Sequence, residues 1–210
     1  MKLKKKIKLL IACDGGAASG KTTASKMISK KYNLKLLSKK NLLHKSNYIK
    51  KISKNITLKK LKNNKLYSQS VTKCSAEIAR SKKIRLLLRK FQKNFAKQNH
   101  VCIEGRDIGS VICPKADIKL FFICNIKIRA KRRWKEFKKN NSKITLAKVR
   151  KTLKMRDYLD INRKHSPLRA SKDSVVIDTS KLSKKQMLSK ISGIIDRKLI
   201  LKYGRNYKAN

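Results

Sequence analysis

Acidic side chains are scarce in this chain. Only 11 Asp and Glu stand against 59 Lys and Arg in 210 residues, a formal net charge of +48. Proline (2) and glycine (7) are too few for a collagen-like or low-complexity class. No apolar run approaches the roughly 18 residues of a membrane-spanning helix. The 5 cysteines, at positions 13, 74, 102, 113 and 124, form no C-x-x-C pair and have no histidine at metal spacing. Their odd number and mostly apolar surroundings point to buried thiols in a reducing cytosol, not to a disulfide framework.

Apolar residues make up 40% of the chain, enough for a sizeable core. The length fits a single domain, or one core with a lid and an insert. The basic excess is 46 Lys against 13 Arg, alongside 14 Asn and 22 Ile, residues that share adenine- and thymine-rich codons. Such a charge attracts polyanions at low salt, so nucleic-acid binding is one reading. Bidentate contacts would favour Arg, and base stacking would favour aromatics. Arg is the minority here, and the 12 aromatics do not interleave with the basic runs. A solvated lysine coat is the plainer reading, with nucleic-acid contact non-specific at most.

The N-terminal stretch MKLKKKIKLLIAC imitates a lipoprotein signal. Its apolar part after Lys8 covers only residues 9–13, short of the roughly 7–15 that an export signal needs. Residues 7–13 are expected to form a buried first strand instead, in a cytoplasmic protein.

Further along, helical spacing covers residues 20–32, and 34–37 can form a second strand. Residues 38–66 are Lys- and Asn-rich and carry no firm assignment. A long helical pattern runs over 69–98, with a break expected near Ser81. Residues 100–104 read as a strand ending in Gly-Arg-Asp-Ile-Gly, and 118–124 (IKLFFIC) as a strand covered on both faces. Basic helices are expected over 126–137 and 145–159, a last strand over 174–178, and a closing helix over 183–199 with Ser183 as N-cap. Strands alternating with helices predict an α/β fold with a mainly parallel sheet.

Gly15-Gly16-Ala17-Ala18-Ser19-Gly20-Lys21-Thr22 matches G-x-x-x-x-G-K-[ST] at every fixed position, between an apolar strand and an amphipathic helix. Small residues let backbone amides cradle phosphate oxygens, and the following helix aims its positive end at the same anion. Lys21 is placed to reach the β- and γ-phosphates and the Thr22 hydroxyl to bind Mg²⁺. The motif predicts a nucleoside triphosphate site without naming the second substrate.

Two further segments concentrate the scarce arginines. Arg129, Arg132 and Arg133 lie at i, i+3, i+4, and Arg156, Asp160 and Arg163 at i, i+4, i+7. Fixed cations of this kind neutralise charge in phosphoryl transfer. Asp160 has two readings, a helix salt bridge or a holder of a ribose hydroxyl.

The segments IACDGGAASGKTT, EGRDIGSVICPKADIKLFF, IRAKRRWKEF, MRDYLDINRKHSPL and VVIDTS, taken in order, resemble bacterial cytidylate kinases, a family of P-loop nucleoside monophosphate kinases. The resemblance implies a P-loop NTPase fold in a single kinase domain. Its core would take residues 1–37, 99–128 and 166–210, a shortened monophosphate-binding insert 38–98, and a helical lid 129–165. It also implies Mg²⁺-dependent transfer of the ATP γ-phosphate to CMP or dCMP, by a monomer. Gly15, Gly16, Ala17, Ala18, Ser19, Gly20, Lys21, Thr22 and Thr23 would hold ATP. Ser75, Arg85, Arg106, Asp107, Arg156, Asp160 and Arg163 would hold CMP, with Asp107 accepting from the cytosine amine. Lys21, Arg132 and Arg156 would act on the transferring phosphoryl group, and Arg129, Arg132 and Arg133 would stand at the start of the lid.

The chain also departs from that family. The family's Asp-[Ser/Thr]-Gly-x-x-Tyr-Arg after the second strand is replaced by Ser38-Lys39-Lys40-Asn41-Leu42-Leu43-His44, and only 24 residues separate His44 from Gln69. Two other readings therefore stand beside the CMP kinase: a nucleic-acid-binding protein on a degenerate kinase scaffold, and a P-loop kinase for another small acceptor.

Overall fold

The fold comes from a computed structural model that describes residues 7–38, 82–138 and 143–207. Ser75, the altered segment 39–44 and the expected helical stretch 69–81 lie outside the described residues, as does the side chain of Arg85.

In chain order the elements are β1 (Leu10–Gly15), α1 (Lys21–Tyr32), β2 (Lys35–Leu37), α2 (Lys82–Ala96), β3 (Val101–Glu104), a π-helical turn (Ile108–Ile112), β4 (Ile118–Ile123), α3 (Ile126–Lys138), α4 (Leu146–Ile161), β5 (Val175–Asp178), α5 (Lys184–Tyr203) and a 3₁₀ turn (Arg205–Tyr207). The strands form one sheet in the order β2-β3-β1-β4-β5, and every pairing is parallel. This is the expected α/β fold.

β1 occupies the centre, so both of its faces must be apolar. Its period-two alternation divides the core. Ile11 and Cys13 pack with Ala24, Ile28 and Tyr32 of α1 and Ile191, Ile195 and Leu199 of α5. Ala12 faces the opposite side, with Phe95 of α2 and Ile108 and Ile112 of the π-helical turn. Each fully buried Ile or Leu in these layers contributes roughly 1.5–3 kcal/mol. A third, smaller core joins Ala130 and Phe137 of α3 to Val149 and Leu153 of α4, with Ala17 of the phosphate loop packed against it. The two basic helices are thereby seated on the loop.

Several boundaries differ from expectation for physical reasons. β1 starts at Leu10 because its neighbours first register there, Val101 opposite Leu10 and Ile118 opposite Ile11. Ile7 and Leu9 are buried without pairing as strand. Thr145 precedes α4 as its cap, its hydroxyl accepting from the Lys148 N–H. Ser183 is the expected N-cap of α5 and forms a capping box with Gln186, but the helix runs on to Tyr203. β4 is covered as predicted up to Phe122, whereas Ile123 is 42% exposed. Cys13, Cys102 and Cys113 are buried free thiols, and Cys124 is partly exposed.

Candidate functional site

β1 delivers the chain to the phosphate loop at Gly15. The backbone there has φ +148°, and a Cβ would lie 2.4 Å from the Phe122 carbonyl oxygen of β4, so only glycine fits. The loop closes at Gly20, which caps α1 in the left-handed region with φ 89°. Gly20 offers no side chain to cap α1, so its first-turn amides and positive end can face an anion. Lys21 curls back to donate to the Gly16 carbonyl at 3.1 Å and lies 3.9 Å from Glu104. Burial pushes its pKa down to about 8, and Arg106 adds to the fall, against the pull of Glu104 and Asp14. The Thr22 hydroxyl donates to Glu104 Oε1 at 2.5 Å.

Glu104 sits at the end of β3, next to the strand that starts the loop. Its second oxygen, Oε2, is buried with no hydrogen-bond partner among the described residues. A threonine hydroxyl beside a carboxylate with a spare oxygen suits Mg²⁺, which takes one or two protein oxygens and completes its shell with phosphate and water. The donor set present therefore fits the ion that the motif implies, with Glu104 added to Thr22.

The three arginines of α3 do not act as one cluster. Arg129 forms a two-pronged ion pair with Asp157 of α4, at 2.5 and 3.1 Å, and donates to the Ala17 carbonyl at 3.3 Å. Arg132 donates to Thr179, to Oγ1 at 3.1 Å and to the carbonyl at 2.8 Å. The Thr179 hydroxyl passes on to the Ser19 carbonyl at 2.9 Å. Arg133 pairs with Glu136 at 2.7 Å and lies over the Phe137 ring. Spacing placed the three on one helix face, yet their long side chains reach three different targets. Arg129 reaches the loop directly at Ala17 and Arg132 reaches it through Thr179, while Arg133 pairs with Glu136 of its own helix.

Opposite the loop, two remote segments meet. Arg106 and Asp107 follow β3, and Arg156, Asp160 and Arg163 come from the end of α4 and the chain just after it. Asp160 is the hub, with Arg106 at 3.2 Å and Arg156 and Arg163 each at 3.8 Å. Arg163 also lies 3.8 Å from Asp107 and donates to the Ser166 carbonyl. Three guanidiniums face two buried carboxylates, leaving positive charge in excess. Burial pushes the Arg156 pKa down, and Arg106 adds to that effect. Arg106 donates to the Gly15 carbonyl at 3.0 Å, tying this cluster to the loop. Asp160 thus makes the salt bridges of one of its two readings, and to three arginines instead of two. A cleft of about 330 Å³ opens beside Asp107, between α2 and residues 164–166, with Arg89, Gln92 and His165 in its lining.

Asp14, Glu104 and Asp157 lie inside the motif segments of the sequence, but spacing along the chain assigns them no task. Thr179 was not singled out. Glu104 had a usable signal, an acid closing the strand before Gly-Arg-Asp. Asp157 and Thr179 had none, since their partners are 28 and 160 residues away.

Comparison with known proteins shows the family. The family model for cytidylate kinase matches residues 40–197, a span that begins after the phosphate loop. A Clostridium tetani protein named cytidylate kinase is 31% identical over 224 residues, covering 95% of this chain and 99% of the relative. One from Rickettsia rickettsii is 34% identical over 203 residues, covering 90% and 92%. Among solved structures, an uncharacterized Eubacterium ventriosum protein aligns with TM-score 0.59 at 17% identity, over 90% of this chain and 99% of the other. Shikimate kinase from Bacteroides thetaiotaomicron aligns with TM-score 0.54 at 11% identity, over 90% and 99%. Those two share the fold alone. By the matched model and by relatives along nearly its whole length, the chain belongs to the cytidylate kinase family.

Proposed function

We propose that this protein transfers the γ-phosphoryl group of ATP to CMP or dCMP, giving ADP and CDP or dCDP. It would act as a cytoplasmic monomer in pyrimidine nucleotide metabolism. The observation that carries the reading is the arginine cluster around Asp160, facing the phosphate loop and joined to it through Arg106 and Gly15. An oxygen of the CMP phosphate attacks the γ-phosphorus while the bond to the β,γ-bridging oxygen breaks, so the electron pair leaves with ADP. Little covalent work is asked of the protein, and catalysis is positioning and charge stabilisation.

Residues 15–23 hold the donor phosphates through loop amides, and Lys21 exchanges the Gly16 carbonyl for phosphate oxygen. Thr22 and Glu104 would hold Mg²⁺, which would neutralise phosphate charge there. Arg106 and Arg156 neutralise the acceptor phosphate, while Asp160 keeps the arginines oriented in advance. Arg163 and Asp160 face the ribose. Asp107 accepts from the cytosine exocyclic amine, with Ser75 and Arg85 as the remaining base contacts. Uracil offers a carbonyl at that position, and a carboxylate facing it is left unpaired, which disfavours UMP. Arg132, bound to Thr179, reaches the transferring group once the lid helices close over ATP.

ADP release measured with CMP, dCMP, UMP and AMP tests the reading. CMP and dCMP are expected to turn over fastest. Background rates with both, or a higher rate with AMP or another acceptor, would sink it.

A further inference from the structure

Asp14 is a buried carboxylate that the proposed chemistry does not use. It lies in β1, one residue before the phosphate loop. Its Oδ1 accepts from the Ile108 N–H at 2.8 Å and its Oδ2 from the Gly109 N–H at 2.6 Å. Those amides begin the π-helical turn, where the turn's own carbonyls cannot reach them. The cap is therefore supplied from 94 and 95 residues away in sequence. Two neighbouring contacts run in parallel: the Gly105 N–H donates to the Cys13 carbonyl at 2.9 Å, and Arg106 donates to the Gly15 carbonyl at 3.0 Å. Residues 105–109, which carry Arg106 and Asp107, thus hang from Cys13, Asp14 and Gly15.

We propose that Asp14 is a positioning residue for the phosphoryl acceptor, its ionised carboxylate fixing the Arg106–Asp107 corner from the strand that opens the donor's loop. The inference rests on the reading that Arg106 and Asp107 line the CMP pocket. Only a carboxylate serves here, because two N–H groups converge on two oxygens. An amide has one acceptor oxygen and turns its NH₂ against the second N–H. Charge-assisted bonds of this kind are stronger and more directional than neutral ones.

Ionisation in this place is finely held. Burial raises the Asp14 pKa to about 6; the two backbone donors and Lys21 hold it down, and Asp107 pushes it up. Cys113 feels its charge. Lys119 of β4 borders Gly109, but its ammonium is engaged by Asp173. Below about pH 6 the acid form takes over and can no longer accept from both amides.

The test compares wild type with Asp14→Asn over pH 5.0 to 8.5, varying CMP and ATP separately. At pH 7.5 the substitution is expected to raise the CMP KM about 10- to 100-fold, while the ATP KM moves less than about 3-fold. The ratio of wild-type to variant kcat/KM for CMP is expected to fall towards one as pH drops through about 6. Taking that ratio cancels the titration of the substrate phosphate, whose second pKa is also about 6. Equal changes in both KM values, or a ratio flat in pH, would overturn the proposal.

A measurement on wild type alone covers the case in which the variant does not fold. The Ile108 and Gly109 amide proton shifts should titrate together with a midpoint near 6, while that of Val111 stays flat; flat shifts at both would refute the tether. Absence of turnover with any nucleoside monophosphate would instead overturn the kinase reading, and the acceptor role with it.

Discussion

Lys21 carries its charge at a measurable cost before any nucleotide binds. Its pKa falls from 10.5 to about 8 on burial, which corresponds to roughly 3 kcal/mol against the charged form. The direction follows from proton counting: between pH 8 and 10.5 the unfolded chain binds the proton more tightly than the folded one. The penalty is therefore complete below pH 8 and disappears as pH rises towards 10.5.

Lys21→Met removes the buried charge but leaves the Gly16 carbonyl and Glu104 one partner short, a loss of about 1–1.5 kcal/mol. The net expectation is a ligand-free protein more stable by about 2 kcal/mol at pH 7, or a Tm higher by roughly 4–8 °C, with turnover reduced by orders of magnitude. ATP phosphates should restore the proton to Lys21. Binding is then expected to take up about half a proton at pH 8 and about a tenth at pH 7. Calorimetry in two buffers of different ionisation enthalpy reads this directly. A destabilised Lys21→Met protein, or proton uptake at pH 8 that is absent in wild type or unchanged in the variant, would refute the reasoning.

Three further outcomes are expected. Asp107→Ala should raise the CMP KM well beyond the ATP KM and narrow the preference for CMP over UMP; a parallel change in both substrates would remove Asp107 from base recognition. Glu104→Gln should increase the Mg²⁺ concentration for half-maximal rate by about 10-fold or more, and an unchanged Mg²⁺ titration would leave Thr22 as the lone protein ligand. Gly15→Ala forces a side chain to 2.4 Å from the Phe122 carbonyl at a left-handed φ. A loss of about 3 kcal/mol is expected, lowering Tm by roughly 6–12 °C in a thermal melt; an unchanged melt would show that β4 yields.

The donor side was legible in the sequence because it is contiguous. A loop whose backbone amides do the binding needs only small residues, one lysine and one hydroxyl at set spacing, and Gly15 to Thr22 supply them side by side. The start of α5 at Ser183 was legible for the same reason, since capping depends on residues three apart. The arginines of α3 were less legible, because i, i+3, i+4 spacing specifies where Cβ atoms sit, not where guanidiniums end. Arg129, Arg132 and Arg133 share a face yet bind Asp157, Thr179 and Glu136.

The alternation of strands and helices and the phosphate loop are local or periodic properties, and both could be read along the chain. Only the folded chain fixes the strand order β2-β3-β1-β4-β5, the meeting of Arg106 with Asp160, and the hold of Asp14 on the Ile108 and Gly109 amides. Each joins residues tens of positions apart, and pairings at that distance depend on how buried faces pack and which buried charges find partners. No spacing rule along the chain encodes them.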